Sequence, residues 1–445
     1  MSTTIETMIP EKYKNVFAHA PTFTGDVSWL RTLRTKAYKR FQELGFPTRK
    51  HEDWRYINLE PILETAFVRP EDIVPHVDQE ILQEYILSAD NPRLVLVNGR
   101  YFEEGSSLGT LPDRVLFEPL HKALTTHGTR VELAISSSIE QEMNPFAALN
   151  SLYFQEGIFL SIPEGVRIET PIELFLITTE TNQGPAVYYP RVFLSLGAGA
   201  KADVVLTCLS LGNERSFHNA VIDLSVGEKA HLSTTVLQRN GKEELQLVTT
   251  RIRQAKESAL SMTMLTHGGM ITRNEVQTSL RGEGATCFLN GLSLIANDSH
   301  VFHHPTTHHE MPHTVSRQLY KNIVNGRARS EFNSMAFIHK GAVKSDSAQL
   351  NRNMVLSKTS RAISRPQLKV YTDDVVAAHG STTGQVSNEE LFYLRSRGLS
   401  KEVATSMLVY GFAEEIVQTI SSPTIQKHVE DFVRRDLSEV VANAS

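Results

Sequence analysis

Two cysteines, Cys208 and Cys287, are all that the 445 residues contain. That excludes a disulfide framework and fits a reducing compartment. Two thiols also cannot by themselves supply the four ligands of a cysteine zinc site or an iron–sulfur cluster. An excess of one charge is missing too. The 45 Lys and Arg face 50 Asp and Glu, a net charge of -5 with the signs mixed. A nucleic-acid partner, which needs a basic stripe, is disfavoured. No apolar run approaches the length of a membrane span. The opening MSTTIETMIPEKYKNV has neither the apolar core of a signal peptide nor an Arg-rich transit pattern, so the cytoplasm is the expected compartment. Catalytic signatures are absent as well: no G-x-x-x-x-G-K-[ST] phosphate loop, no H-E-x-x-H, no G-x-S-x-G. The HGGM at His267 has the flavour of an oxyanion loop but lacks a nucleophile elbow.

What is present has ordinary globular composition, 40% hydrophobic and 21% charged, and can bury a large core. It divides into three zones. Residues 1–150 read as a mostly helical N-terminal domain. From Ser28 to Leu44 the apolar residues Trp29, Leu30, Leu33, Ala37, Phe41 and Leu44 recur at helical spacing, and Gly45 is placed to end the helix. A strand is expected at RLVLVNGRYF. Residues 151–380 read as short strands separated by tight turns, and the turn alanines Ala200, Ala230, Ala259 and Ala285 recur at roughly 26–30 residues. One such repeat cannot bury its own apolar face, so the repeats should stack as a parallel β-helix. Residues 381–445 read as a C-terminal helical subdomain. Ser387 with Glu390, and Ser400, are its caps; Gly398 stops its first helix. Val403, Met407, Leu408, Phe412 and Ile416 mark the apolar face of the second helix. Pro423 opens the third, with Ile425, Val429, Phe432 and Leu437 as its stripe. These faces are expected to exceed what the β-helix end can cover, and so to need a partner surface.

Six of the seventeen histidines crowd into DSHVFHHPTTHHEMPHTVSR, at 300, 303, 304, 308, 309 and 313. Pro305 and Pro312 forbid a regular helix there. In a strand, the adjacent pairs 303/304 and 308/309 point to opposite faces. Neither geometry gathers all six around one ion. A metal site from His303, His304 and His309 stays open, but polar packing in a kinked rung or insertion is the favoured reading. A second dense segment is RPQLKVYTDDVVAAHGSTTGQ, with Asp373, Asp374, His379 and Gly380. Taken alone, the two carboxylates read as a solvated turn.

Together these segments resemble the SufB/SufD family of iron–sulfur cluster assembly proteins. The resemblance rests on Pro366, Leu368, Tyr371, Asp373, Asp374, Val375, His379, Gly380, Ser381, Thr382 and Gly384, followed by LFYLRSRG. It rests also on His300, His303, His304, Thr306, His309, Pro312, His313 and Ser316 before Tyr320-Lys321, on Phe332-Asn333, and on Gln349, Asn351 and Asn353. EDWRY at 52–56 resembles the N-terminal signature of the SufD branch, and no cysteine lies beyond Cys287 to match the late cluster ligand of the SufB branch. Phe302 and His308 stand where acidic residues are common in the family, and Thr314 where cysteine is frequent, which weakens a metal reading of the His-rich rung.

The resemblance implies a mainly β fold: a right-handed parallel β-helix core between N-terminal helices and a C-terminal helical subdomain. It implies a non-catalytic scaffold subunit of a SufBCD complex. Pairing with a SufB-like chain would run through the β-helix ends, and a SufC-like ABC ATPase would dock on the helices bearing Met407, Leu408, Phe412 and Ile416. His379 would contribute to a cluster or iron site at the partner interface, with Asp373, Asp374 and Gly380 as neighbours. Iron or a cluster is then expected only in the complex, and none on the isolated chain, to which self-pairing as a homodimer stays open. Flavin binding stays undecided. The rival reading is an autonomous metal-dependent β-helix enzyme using the His300–His313 stretch.

Overall fold

The computed structural model describes residues 21, 23, 26–69, 74–136, 139 and 142–442. The N-terminal stretch read above for targeting signals lies outside them. Each turn of the central chain gives one strand to each of two parallel sheets. One sheet stacks Lys201–Ser210, His231–Asn240, Ala259–Gly268, Thr286–Ile295, Val315–Val324, Asp346–Val355 and Val376–Gly384 in order. The other stacks Arg191–Leu196, Ser216–Val226, Glu244–Gln254, Ile271–Leu280, His300–His309, Arg329–Ile338 and Arg361–Val370. Lys201, His231, Ala259, Thr286, Val315, Asp346 and Val376 lie opposite one another, so one turn takes 27 to 31 residues. The expected parallel solenoid and its period are both present.

The anchor of the period differs slightly from the expected one. The small-residue column at the turn is Ala200, Ala230, Ser258, Ala285, Thr314 and Ser345, each no more than 1% exposed. Ala259 instead begins its strand, one residue beyond that column. The residue before each small one is left-handed: Gly199, Lys229, Glu257, Gly284, His313 and Lys344 have φ between 54° and 71°. Its N–H reaches a carbonyl of the next turn, as from Gly199 to Glu228, Lys229 to Lys256 and His313 to Val343. The turns therefore stack by backbone hydrogen bonds as the strands do, and bulk beside the corner is excluded.

The His-rich stretch is not an insertion or a kinked rung. His300–His309 is a regular ten-residue strand, paired throughout with Ile271–Leu280 and, except at His304 and Pro305, with Arg329–Ile338. Pro305 has no N–H to give, which accounts for the gap on one side only.

The two ends of the solenoid differ. At the N-terminal end Arg93–Val97 runs parallel to Ile172–Thr178 and is closed by Arg100–Tyr101, antiparallel. Leu116–Pro119 lies antiparallel on Gly157–Ile162. Segments before residue 150 thus extend both sheets and blunt their edges. The helices Ser28–Leu44 and Pro145–Tyr153 pack over this end through Phe41, Phe146, Leu149, Leu152, Phe193 and Phe217.

A buried charge joins the helical layer to the sheet. Arg191, 1% exposed, donates from Nε and Nη2 to Asp223 Oδ2 at 3.2 and 2.9 Å, and from Nη1 to Ser151 Oγ at 2.7 Å. Arg251 donates to the other oxygen of Asp223 at 3.4 Å. Asp223→Ala leaves Arg191 buried without a counter-charge, and breaking such a pair costs about 3–5 kcal/mol. A urea melt of the variant should show that loss; a wild-type midpoint would refute the role given to Asp223.

The C-terminal helices do not perch on the solenoid end. Lys401–Val417 and Pro423–Ala442 lie along its flank, against Thr286–Ile295 and Val315–Val324. They cover the outward residues Leu237, Leu265, Leu292, Leu294 and Ile323. Lys321 Nζ donates to the Phe412 carbonyl at 2.8 Å, and Asn325 Nδ2 to the Val440 carbonyl at 2.7 Å. No helix among the described residues is long and apolar enough to cross a membrane.

Candidate functional site: the open end of the solenoid

Arg361–Val370 and Val376–Gly384 are the last strands of their sheets. Each pairs on one side and presents free N–H and C=O groups on the other, an edge that needs covering. Apolar side chains are exposed there: Val370 at 43%, Tyr371 at 60% and Val376 at 64%.

His379 lies on this edge, in register with Gln349. The preceding rungs place Gln349, Gln318 and Leu289 at the same position, all buried. His379 thus continues an inward column, but among the described residues no further rung covers it and it is exposed. Among the described residues no hydrogen bond is made to its ring, which leaves the imidazole available as a ligand or a proton carrier. Gly380 lies opposite Leu350 on the same strand. Asp373 and Asp374 form the exposed corner before it. Asp374 is the left-handed corner residue (φ 57°), and its carbonyl accepts from Lys344 N at 2.7 Å.

The interior leading to this end is polar. The main apolar filling runs as far as Tyr320 and Phe332. Beyond it Asn322 donates to Asn353 at 2.7 Å, Asn353 to Asn351 at 2.8 Å, and Asn351 to the Tyr320 carbonyl at 3.1 Å. The Ser316 and Ser347 hydroxyls are 2.9 Å apart. The Gln349, Asn351, Asn353 alternation in the sequence is therefore an inward-facing row. Such a row stays folded because its members satisfy one another.

The structure separates His303, His304 and His309. His303 points inward, its Nε2 2.8 Å from Ser293 Oγ and its ring 5.1 Å from that of Tyr320. His309 also points inward, held by Thr314 Oγ1 at Nδ1 and Ser316 Oγ at Nε2, both at 2.8 Å. Burial pushes their pKa values down, to about 3 and about 4. His304 faces outward, as strand alternation requires, under the EDWRY segment. Its Nε2 lies 3.8 Å from Glu331 Oε1. Burial holds its pKa well below the ordinary imidazole value, helped by Arg273 and Arg365. Each of the three rings thus has its own surroundings. Among the described residues no group of three or more His, Cys, Asp or Glu is arranged to hold a metal ion. His313 is a turn corner.

EDWRY has a role that its sequence pattern did not disclose. The Arg273 guanidinium sits 4.0 Å from the Trp54 ring and donates to the Asp53 carbonyl at 3.0 Å. Arg365, on the last rung, lies 5.0 Å from the Tyr56 ring and donates to Glu331 at 3.0 Å. The segment clamps the N-terminal layer onto the outer sheet face as far as the open end. The pair of arginines, three rungs apart, was the signal for it, but only register shows that they share a face.

Of the residues expected to dock a partner on the second C-terminal helix, Ile416 is fully buried against the solenoid, and Leu408 and Phe412 are half-buried, with Lys321 Nζ 4.4 Å from the Phe412 ring. Met407 is exposed, as are Val403, Phe392 and Tyr393, which the helical periodicity alone did not single out as one surface. The face expected from the sequence is thus rotated: Ala404, Val409, Ala413, Ile416 and Val417 pack inward. Cys208 and Cys287 are buried in the apolar interior, where desolvation pushes both thiols up to about 12. Cys287 shares its column with Ser316, Ser347 and Ala377, three rungs inside the edge.

A stacked-rung scaffold with one blunted and one open end, carrying a ligand-type side chain on the open edge, is the architecture that emerges. The chain belongs to the SufBD family: residues 176–412 match the model of the SufBD core domain of the SUF system for FeS cluster assembly, and residues 8–174 match that of the SufBD protein N-terminal region. It is similar to the iron-sulfur cluster assembly protein SufD of Escherichia coli, 29% identical over 88% of this chain and 90% of that protein. An iron-sulfur cluster assembly SufBD family protein of Synechocystis is 26% identical over 88% and 87%. The chloroplastic protein ABCI7 of Arabidopsis thaliana is 23% identical over 91% and 86%.

Proposed function

We propose that the chain is a non-catalytic scaffold subunit of a SufBCD-type iron–sulfur cluster assembly complex in the cytoplasm. A SufB-like chain covers the open solenoid end. A SufC-like ABC ATPase docks on the exposed side of the C-terminal helices, around Phe392, Tyr393, Val403 and Met407. His379 gives a ligand to iron or a nascent cluster that the partner's side chains complete. The observation that carries this reading is the contrast between the ends: the N-terminal one is closed by antiparallel strands, whereas the other leaves two sheet edges, three exposed apolar residues and His379 open. A site shared between two chains can be opened by ATP-driven motion and need not be whole in either chain. Both cysteines of this chain are buried, so the thiolates of a cluster must come from elsewhere.

The test is His379→Ala in the co-expressed complex. The side chain is exposed, so assembly and melting temperature should stay at wild-type values while iron content and cluster supply in cells fall several-fold. Wild-type iron content in the variant complex would reduce His379 to a surface residue. Anaerobic reconstitution of the pure chain is the companion measurement; a stoichiometric cluster on the monomer would remove the need for a partner.

A further inference from the structure

A pair of histidines outside this site has a geometry of its own. His308 ends the outward row of its strand, and His339 follows the next rung of the same sheet. His308 Nδ1 and His339 Nε2 are 3.0 Å apart, with their rings 24° from parallel. His308 lies flat on Phe337, 4.7 Å between centroids and 3° between planes. The backbone of His339 is tied to the His309 carbonyl at 3.0 Å. Both rings are partly exposed, so water could serve each nitrogen separately. The fold nevertheless holds two imidazoles in one orientation, stacked on an aromatic face.

Two nitrogens bound to one ion at 2.0–2.1 Å, at a tetrahedral or a cis octahedral angle, are about 2.8–3.4 Å apart. The observed separation falls within that range. Glu310, two residues beyond His308, is near enough to favour the charged form of its ring, and otherwise lies 3.7 Å from Arg281 on the surface. We propose that His308 and His339 form a surface site for a divalent first-row transition ion, completed by water and, after a side-chain rotation, by Glu310. In the free protein one ring donates its N–H to the other. To bind, the donor ring moves that proton to its opposite nitrogen, both lone pairs turn to the ion, and no proton is lost. Imidazole donors suit zinc, nickel and copper. The site is separate from His379 and does not depend on the scaffold reading.

Calorimetric titration of the full-length chain with Zn2+ tests it. Wild type should bind one ion that His308→Ala and His339→Ala each weaken at least tenfold, while His300→Ala, on the same strand, leaves it unchanged. His339→Gln supplies an amide donor that can keep the hydrogen bond but cannot serve as an imidazole ligand. It should melt like wild type without zinc and lack the zinc-dependent rise in melting temperature. Absence of zinc binding by wild type would show a hydrogen bond only. Equal zinc affinity in His308→Ala and wild type would place the ion elsewhere. Either result overturns the proposal.

Discussion

Ending the chain at Gly398 should cost the protein its soluble folded state, not merely a docking surface. The two helices beyond it bury Val409, Ala413, Ile416, Val417, Ile425, Val429, Phe432 and Leu437 against the solenoid flank. Their removal exposes Leu237, Leu265, Leu292, Leu294 and Ile323, now nearly inaccessible. Uncovering each costs roughly 1.5–3 kcal/mol. The sum is comparable to the about 5–15 kcal/mol that holds a typical domain folded. Aggregation on gel filtration, dye binding to apolar surface and a large fall in melting temperature are expected. A monomeric truncated chain with wild-type melting would show that the helices are an appendage. Loss of ATPase binding on truncation is therefore uninformative. The informative variant is Val403→Asp with Met407→Asp, on the exposed side. It should melt normally and fail to retain the ATPase subunit, whereas Ile416→Asp should fail to fold.

The second large effect is acid sensitivity. His218 and His303 are wholly enclosed, and desolvation lowers their pKa values to about 4 and about 3. In the unfolded chain both titrate near the ordinary value of about 6.5. Below that pH the unfolded state binds protons that the native state refuses, so stability falls as pH falls. A tenfold difference in proton affinity between the two states is worth about 1.4 kcal/mol. Across the window from about pH 6.5 down to about 3, His218 and His303 then lose on the order of 3 and 5 kcal/mol respectively. Glu244 works in the opposite sense. Burial raises its carboxyl to about 7, so its contribution is full below the unfolded carboxylate range and is lost as pH rises through about 4.5 to 7. The two effects oppose each other between about pH 4.5 and 6.5, and the steepest loss lies below. Urea unfolding across pH should show it, and His303→Gln should flatten the acid limb. An unchanged acid midpoint in that variant would remove the histidine from the account.

The register of the His-rich stretch shows what a sequence can and cannot disclose. Strand alternation already places positions 303 and 304 on opposite faces, and it holds: one ring bonds Ser293 inside, the other lies by Glu331 outside. The two prolines suggest a kinked rung, yet Pro305 fits a regular strand because its missing N–H opens only one side. Ser400 caps the second C-terminal helix as its sequence indicates, but the buried face differs from the one that helical spacing marks. Spacing selects the large apolar residues as the inner face. Small ones, Ala404 and Ala413, are fully buried instead, and Ala413 packs in the cluster on the solenoid flank, where close approach leaves little room for bulk.

The sequence by itself determined the period of the solenoid, the caps of the terminal helices, the absence of a cysteine ligand set and the family. These depend on local chemistry: turn geometry, hydrogen-bond donors at helix ends, and residue identity along the chain. The tertiary structure alone decided which end of the stack is open, which helix face is already occupied, and that His308 and His339 meet. Those are relations between residues about thirty or more positions apart, set when one rung registers on the next. A one-dimensional pattern repeats identically along the stack and carries no mark of where the stacking stops.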